Sequence, residues 1–370
     1  MKKIILSGGG TGGHIYPAVA VAEALKARYG DDVELLFVGA EGRMEMEKVP
    51  ALGYKIEGLP IAGLQRRLDW RNIQVPFKLM KSISRAKRII KSFEADVVVG
   101  FGGYASAPVL WAAQKCGVPT IIQEQNSYAG LTNKILGGKV KKVCAAYDNM
   151  EKFFAAEKIV LTGNPLRGNF SEVSKCRAVA LKYFGFDESL PVVLVVGGSL
   201  GARTFNNMMK TWVESLGGKA PKFQVIWQTG KYYQTEMTKF LAENPTPNIW
   251  QGAFLERMDY AYGAADIVIS RSGACTISEL CEVGRPTIFV PSPNVSEDHQ
   301  TKNAQALVNK DAALMVADKD ANADCMALVG KTLGNQELMG SLSKNIKAMA
   351  FKDSASRIVD VIEEVINNGI

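Results

Sequence analysis

The sequence predicts an α/β chain of two doubly wound, Rossmann-like domains, each built on a parallel sheet. Three observations carry that expectation. At 370 residues and 47% hydrophobic content, the chain is long enough for two cores of ordinary size, since single domains usually stop growing before this length. Short, continuously apolar runs bounded by glycine recur along it, the pattern of parallel strands buried on both faces. Segments with helical spacing lie between these runs, so strand and helix alternate.

The first run, Ile4-Ile-Leu6, follows Met1-Lys-Lys and breaks at glycine; it is too short for the apolar core of a targeting signal and reads as a first strand. Val19, Ala22, Leu25 and Ala27 then space a helix over Tyr16–Tyr29. Further strands are expected at Val33–Val38, Asp96–Val99 and Thr120–Ile122, and in the second half at Val192–Val196, Val225–Trp227, Asp266–Ile269 and Pro286–Val290. Gly163-Asn-Pro-Leu-Arg-Gly168 interrupts the alternation, which puts a domain boundary there, between residues 163 and 164. A loose internal repeat supports the division. Leu6-Ser-Gly-Gly-Gly-Thr-Gly-Gly-His14 follows the first strand of one half, and Val196-Gly-Gly-Ser-Leu-Gly-Ala-Arg203 follows the first strand of the other.

No run approaches the roughly 20 apolar residues that cross a bilayer. The net charge of +7 is modest for this length; it fits acidic small ligands or an anionic membrane surface, and no nucleic-acid partner is expected. Six cysteines are scattered without a C-x-x-C pair, so neither a disulfide framework nor a zinc site is indicated, and a reducing cytoplasm fits. Between Ile61 and Lys91, apolar residues (Ile61, Leu64, Leu68, Trp70, Ile73, Val75, Phe77) mix with many lysines and arginines. Leu79, Ile83, Ala86 and Ile90 keep helical spacing and are expected to face the core. The rest suit either an anionic bilayer or a solvated basic face.

Gly8, Gly10 and Gly13 match G-x-G-x-x-G, a turn that lets backbone N–H groups and a helix N-terminus approach phosphate oxygens. A dehydrogenase would want an acidic residue closing the second strand, and Glu41 comes late for that role. Two further glycine turns, from Gly100 and from Gly197, imply several anionic or hydroxylated groups to be held. The chain has only two histidines, His14 and His299, each beside a ligand-loop sequence; either could contact a ligand or merely pack its turn. Ser270-Arg-Ser-Gly-Ala-Cys-Thr-Ile-Ser-Glu279 reads as a strand end and helix start. Ionised Glu279 there can accept hydrogen bonds from both hydroxyls of a ribose, the alternative being a carboxylate that only complements the helix dipole. Gln300 and Asn303 offer amides to sugar hydroxyls. Asp318-Lys-Asp320 has the form of a metal-binding D-x-D pair, but it precedes a helix and is read as N-capping.

Taken together, Gly8-Gly-Gly-Thr-Gly-Gly-His14, Gly102-Gly-Tyr104, Glu124-Gln-Asn126 with Ala129-Gly-Leu-Thr-Asn133, Gly163-Asn-Pro-Leu-Arg167, Gly197-Gly-Ser-Leu-Gly-Ala-Arg203, Arg271-Ser-Gly-Ala274 with Ser278-Glu279, and His299-Gln300 resemble the MurG family of N-acetylglucosaminyltransferases. The resemblance runs in order from Ile4 to about Asn303. It implies a GT-B fold with a last helix, within about 350–370, returning to the first domain. It implies inverting transfer of GlcNAc from UDP-GlcNAc to the C4 hydroxyl of the N-acetylmuramoyl unit of lipid I, giving lipid II, with no cofactor and no metal. The donor would meet Arg167 and the backbone of Leu255 at uracil, Ser199 near the phosphates, Glu279 at the ribose and Gln300 at the sugar, with Phe254 and Met258 as walls. Thr11, Gly12, Gly13 and Asn126 would complete the donor side. Gly10, Gly13 and Gly103 would cradle the acceptor's pyrophosphate, with His14, Tyr104 and Asn126 near the transferred sugar and His14 a candidate base. His299 stands where some members carry a second glutamine. Peripheral attachment to the cytoplasmic face of the inner membrane, and contact with other cell-wall synthesis proteins, are also implied. The rival readings are a GT-B transferase with another acceptor and a nucleotide-sugar-binding subunit without activity.

Overall fold

The computed structural model describes residues 1–61, 75–166, 170, 173–198 and 200–368. The chain forms two compact units, Met1–Arg167 with Phe351–Ile370, and Gly168–Ala350.

Unit 1 runs β1 (Lys2–Ser7), α1 (Gly12–Tyr29), β2 (Val33–Ala40), α2 (Glu45–Ala51), β3 (Ile56–Leu59), α3 (Val75–Phe93), β4 (Val97–Gly100), α4 (Gly103–Lys115), β5 (Thr120–Glu124), α5 (Leu131–Gly137), β6 (Lys142–Ala145) and β7 (Ile159–Leu161). Its strands form one sheet in the order β3-β2-β1-β4-β5-β6-β7, every pair parallel. Successive side chains leave opposite faces of a strand. Ile4, Leu6, Val97 and Val99 therefore pack one layer with Val19, Ala22 and Leu25, while Ile5 and Val98 pack the other with Ala86, Ile90 and Val109. Burial on both sides is why these strands read as unbroken apolar runs.

Unit 2 runs α6 (Arg177–Phe184), β8 (Val192–Val196), α7 (Arg203–Leu216), β9 (Gln224–Gln228), α8 (Gln234–Glu243), β10 (Ile249–Gly252), α9 (Met258–Ala264), β11 (Ile267–Ser270), α10 (Ala274–Val283), β12 (Thr287–Phe289), α11 (His299–Val308), β13 (Leu314–Met315), α12 (Ala321–Leu333) and α13 (Gln336–Ala348). Its sheet order, β10-β9-β8-β11-β12-β13, is again parallel throughout and repeats the Rossmann arrangement. The last helix, α14 (Ser354–Asn367), belongs to unit 1, where Ile358, Val359 and Ile362 join the layer built by α1 and Arg28 pairs with Asp360 at 2.6 Å.

The expected runs all become strands. The structure adds β3, β6, β7, β10 and β13, short outer strands such as Ile56-Glu-Gly-Leu59 whose apolar signal is diluted because they lie toward the sheet margins. Three side chains are corrected. Leu79 is exposed because the buried stripe of α3 is Ser82, Ala86, Ile89 and Ile90; Ile61 is buried; Ala27 lies on the outer face of α1.

Candidate active site

Ligands of doubly wound sheets bind beyond the carboxyl ends of the strands, where the connecting turns converge. In unit 2 that position holds a cavity of about 810 Å³, bordered by Val196, Gln228 and Ser270 at the strand ends. Below it, buried Gln228 braces the glycine turn, accepting from Gly197 N at 3.3 Å and donating to Gly198 O at 2.8 Å. The turn leads into α7, whose N-cap residue Ala202 makes no side-chain cap. Its first amides and the positive end of its dipole thus border the cavity, where Arg203 and Thr204 are found.

Across the cavity, α10 carries Glu279, which accepts from the buried Tyr262 hydroxyl at 3.1 Å. Burial pushes the Glu279 carboxyl up to about 7, the Tyr262 hydrogen bond opposes this, and Glu282 reinforces it. Gln300 is fixed through both its amide oxygen, which accepts from Ser292 N at 2.9 Å, and its backbone carbonyl, which accepts from Ser272 Oγ at 2.8 Å. Leu255, Met258 and the exposed Phe254 form an apolar wall. Asp318 also lines the cavity. Its oxygens accept from Arg271 at 2.5 Å and Thr204 at 3.1 Å, and Arg271 lies over the Phe205 ring at 4.8 Å.

Unit 1 assembles a second polar cluster at its own strand ends. The β1–α1 turn presses against the β4–α4 turn so closely that a Cβ on Gly103, which has φ +77°, would stand 2.4 Å from Gly9 O. His14 lies over Gly102 and Gly103, with Nδ1 3.1 Å from Gly9 O and 3.1 Å from Thr11 Oγ1. A carbonyl only accepts, so in neutral His14 the proton sits on Nδ1 and the basic lone pair on Nε2. Beside it, Glu124 is buried and saturated: Oε1 accepts from Asn126 N at 3.0 Å and Asn126 Nδ2 at 3.2 Å, and Oε2 from Gly130 N at 3.0 Å and Asn133 Nδ2 at 2.8 Å. It thereby ties Asn126 to the start of α5. The Tyr104 ring rests on Gly10, and burial raises its phenol above the ordinary value while the charge of Arg43 pulls the other way.

Comparison with known proteins decides the family. Residues 4–145 match the glycosyltransferase family 28 N-terminal domain and residues 192–359 its C-terminal domain. The UDP-N-acetylglucosamine–N-acetylmuramyl-(pentapeptide) pyrophosphoryl-undecaprenol N-acetylglucosamine transferase of Parabacteroides distasonis is 53% identical over 370 residues, covering 99% of this chain and 98% of the relative. The protein of the same name from Cytophaga hutchinsonii is 50% identical over 365 residues, covering 99% and 97%. The crystal structure of Acinetobacter baumannii MurG superposes with a TM-score of 0.80 at 28% identity, covering 98% of this chain and 100% of that one. The chain belongs to the MurG family. Its two α/β units, with sheets of seven and six parallel strands, are those of the family's GT-B fold class.

Against the MurG pattern, the structure gathers Leu255, Met258, Glu279 and Gln300 at one cavity and Thr11, Gly12, Gly13, His14, Gly103, Tyr104 and Asn126 near the unit 1 turns. Arg167 and Ser199 lie outside the described residues. Three expectations are corrected. The Gly10 amide donates to the fully buried Glu45 carboxylate at 3.2 Å, and a Cβ on Gly9 would lie 2.1 Å from the same group, so these glycines make room for Glu45 and Gly10 N–H is turned away from a phosphate. Asn303 is buried and donates to Ser272 O at 3.5 Å, bracing the wall below Gln300. Asp320 occupies the N-cap position of α12 without a side-chain cap bond, while Asp318 holds Arg271. His299 pairs with Glu297 at 3.1 Å. Sequence reasoning missed Glu45, Arg43 and Tyr262. The first had a signal, an acidic residue opening a helix after the glycine-containing end of β2; the other two had none.

Proposed function

We propose that the chain transfers GlcNAc from UDP-GlcNAc to the N-acetylmuramoyl unit of lipid I, forming lipid II. The observation that carries this reading is the full-length identity of about half with transferases named for that reaction. Residues 164–349 bind the donor; residues 1–163 with about 350–370 bind the acceptor. In the unit 2 cavity, ionised Glu279 accepts from the ribose hydroxyls, the start of α7 meets the diphosphate, and Gln300 meets the sugar. Leu255 and Met258 enclose the uracil.

In unit 1, Gly13, Gly103 and the start of α1 receive the acceptor's pyrophosphate, helped by the Arg43 cation in place of the occupied Gly10 amide. Asn126, aimed by Glu124, and Tyr104 position the sugars. The acceptor oxygen O4 attacks C1 of GlcNAc as the C1–O bond to UDP breaks, with inversion. His14 Nε2 takes the hydroxyl proton, and the negative charge leaves on UDP facing the α7 dipole. Glu124 is no base, because four donors already fill its oxygens.

The chain works at the cytoplasmic face of the inner membrane. Among the described residues no helix is long and apolar enough to cross a bilayer. Supporting surface attachment, α3 exposes Phe77 (73%) and Met80 (70%) beside Lys78 and Lys81, and Trp111 lies between Lys87 and Lys115 at 5.4 and 5.5 Å.

The deciding assay incubates purified protein with UDP-GlcNAc and a lipid I analogue, with and without EDTA, and follows UDP release and the product's anomeric configuration. Disaccharide with a β linkage is expected in both arms. No acceptor-dependent release sinks the assignment, and an α linkage sinks the single displacement.

A further inference from the structure

Tyr262 stands at the end of the donor cavity with no role assigned to it. It is buried, 1% exposed, on a helix different from the one that carries Glu279, and its hydroxyl reaches Glu279 Oε2 at 3.1 Å. Phe170 holds the ring edge-on at 5.6 Å, and Arg285 binds the carbonyls of Tyr262 and Gly263 at 3.4 and 3.3 Å, which anchors the backbone beneath it. A phenol so fixed offers one proton in one direction, and Glu279 is what it meets.

We infer that Tyr262 is a positioning residue for donor recognition: by donating to Oε2 it orients the Glu279 carboxylate and holds it in the ionised, acceptor-only form that a ribose diol requires. This rests on the reading of Glu279 as the ribose contact. The chemistry is one-sided. A protonated carboxyl would present an O–H to the diol, and one of the two ribose donors would lose its acceptor. Among the described residues, the titratable groups around Glu279 are Tyr262 on α9 and Glu282 and Cys275 on α10, and of these only Tyr262 favours the charged form. Burial raises the Tyr262 phenol well above its ordinary value, so it remains a donor across the working range. With Glu279 titrating at about 7, the hydrogen bond sits where it decides how much of the protein is competent at neutral pH.

The test measures binding of UDP and of 2′,3′-dideoxy-UDP by calorimetry from pH 6 to pH 9, with wild type, Tyr262→Phe and a protein carrying 3-fluorotyrosine at 262. The fluorinated phenol keeps the shape and donates more strongly, so it covers the case in which the phenylalanine protein fails to fold. Wild type should prefer UDP, with the preference fading as pH falls through about 7 as Glu279 takes a proton. Tyr262→Phe should move that midpoint upward. One unit of movement leaves about a tenth of Glu279 ionised at pH 7 instead of about half, a loss of about fivefold in UDP affinity that recovers at pH 9. The fluorinated protein should move the midpoint downward. If wild type binds both nucleotides alike at every pH, the ribose reading itself fails. If wild type discriminates but neither replacement moves the midpoint, that reading stands and Tyr262 has only a packing role.

Discussion

A carboxyl whose folded value is raised, as that of Glu279 is to about 7, works against the fold wherever it is ionised. Between its unfolded value near 4.5 and its folded value the native state binds the extra proton, so stability falls as pH rises through that window and is lowest above it. Glu279→Gln removes the charge and keeps the Tyr262 partner. It should stabilise the ligand-free protein by about 1–3 kcal/mol at pH 8 and by little near pH 4.5, while weakening UDP binding. Urea unfolding at the two pH values checks the sign, and equal effects at both would remove the burial cost from the account. His14 belongs to the other chemistry. His14→Ala should lower kcat by about 10²–10⁴ with UDP affinity unchanged, and near-normal turnover in a single-turnover assay would remove it as the base.

Among the elements, the abutting β1–α1 and β4–α4 turns are the least forgiving. Gly103→Ala faces Gly9 O at 2.4 Å and a positive φ, so it should cost about 2 kcal/mol or more and lower activity with it. Gly117→Ala has the same φ of +77° with open space around it and should cost about 1 kcal/mol, which thermal melts of the two variants compare directly. The exposed side of α3 carries the opposite expectation. Phe77→Ser with Met80→Ser should leave melting unchanged and reduce sedimentation with vesicles of anionic lipid; undiminished binding would place the membrane contact elsewhere. These contrasts also mark what could be read from sequence. Central strands declared themselves because burial on both faces leaves no polar residue to interrupt them, whereas β3 and β10 sit at sheet edges and β13 spans two residues. That Glu279 and Gln300 line the cavity was legible because both are polar residues close behind small-residue turns at strand ends. Gly10 misled because a glycine turn looks the same whether it makes room for a phosphate or for a buried carboxylate from a later helix. Tyr262 was invisible, since a tyrosine in an apolar helix turn announces packing and only the fold supplies its partner.

At the scale of the molecule, the excursion of the chain into unit 2 and back makes α14 part of a core begun about 340 residues earlier. Ile358, Val359, Val361, Ile362 and Val365 are all at most 4% exposed, and their burial contributes about 8–15 kcal/mol, comparable to the whole stability of an ordinary domain. Ending the chain at Asp353 should therefore leave unit 1 unfolded and sensitive to protease while unit 2 still melts cooperatively. By contrast, Arg28→Ala, which removes the solvent-facing pairs with Asp360 and Glu363 and a bond to the Ser356 carbonyl, should cost only about 1 kcal/mol. The same topology orders events on the ribosome. Unit 2 is one uninterrupted stretch and can close as soon as it emerges, but unit 1, though translated first, must wait for α14. At about 5–20 residues per second, the part of the α1 layer that α14 completes stays uncovered for about 10–40 s after the strands beside it are made. The half translated first is thus the half that matures last, and its greatest need of chaperone protection falls during the synthesis of its neighbour.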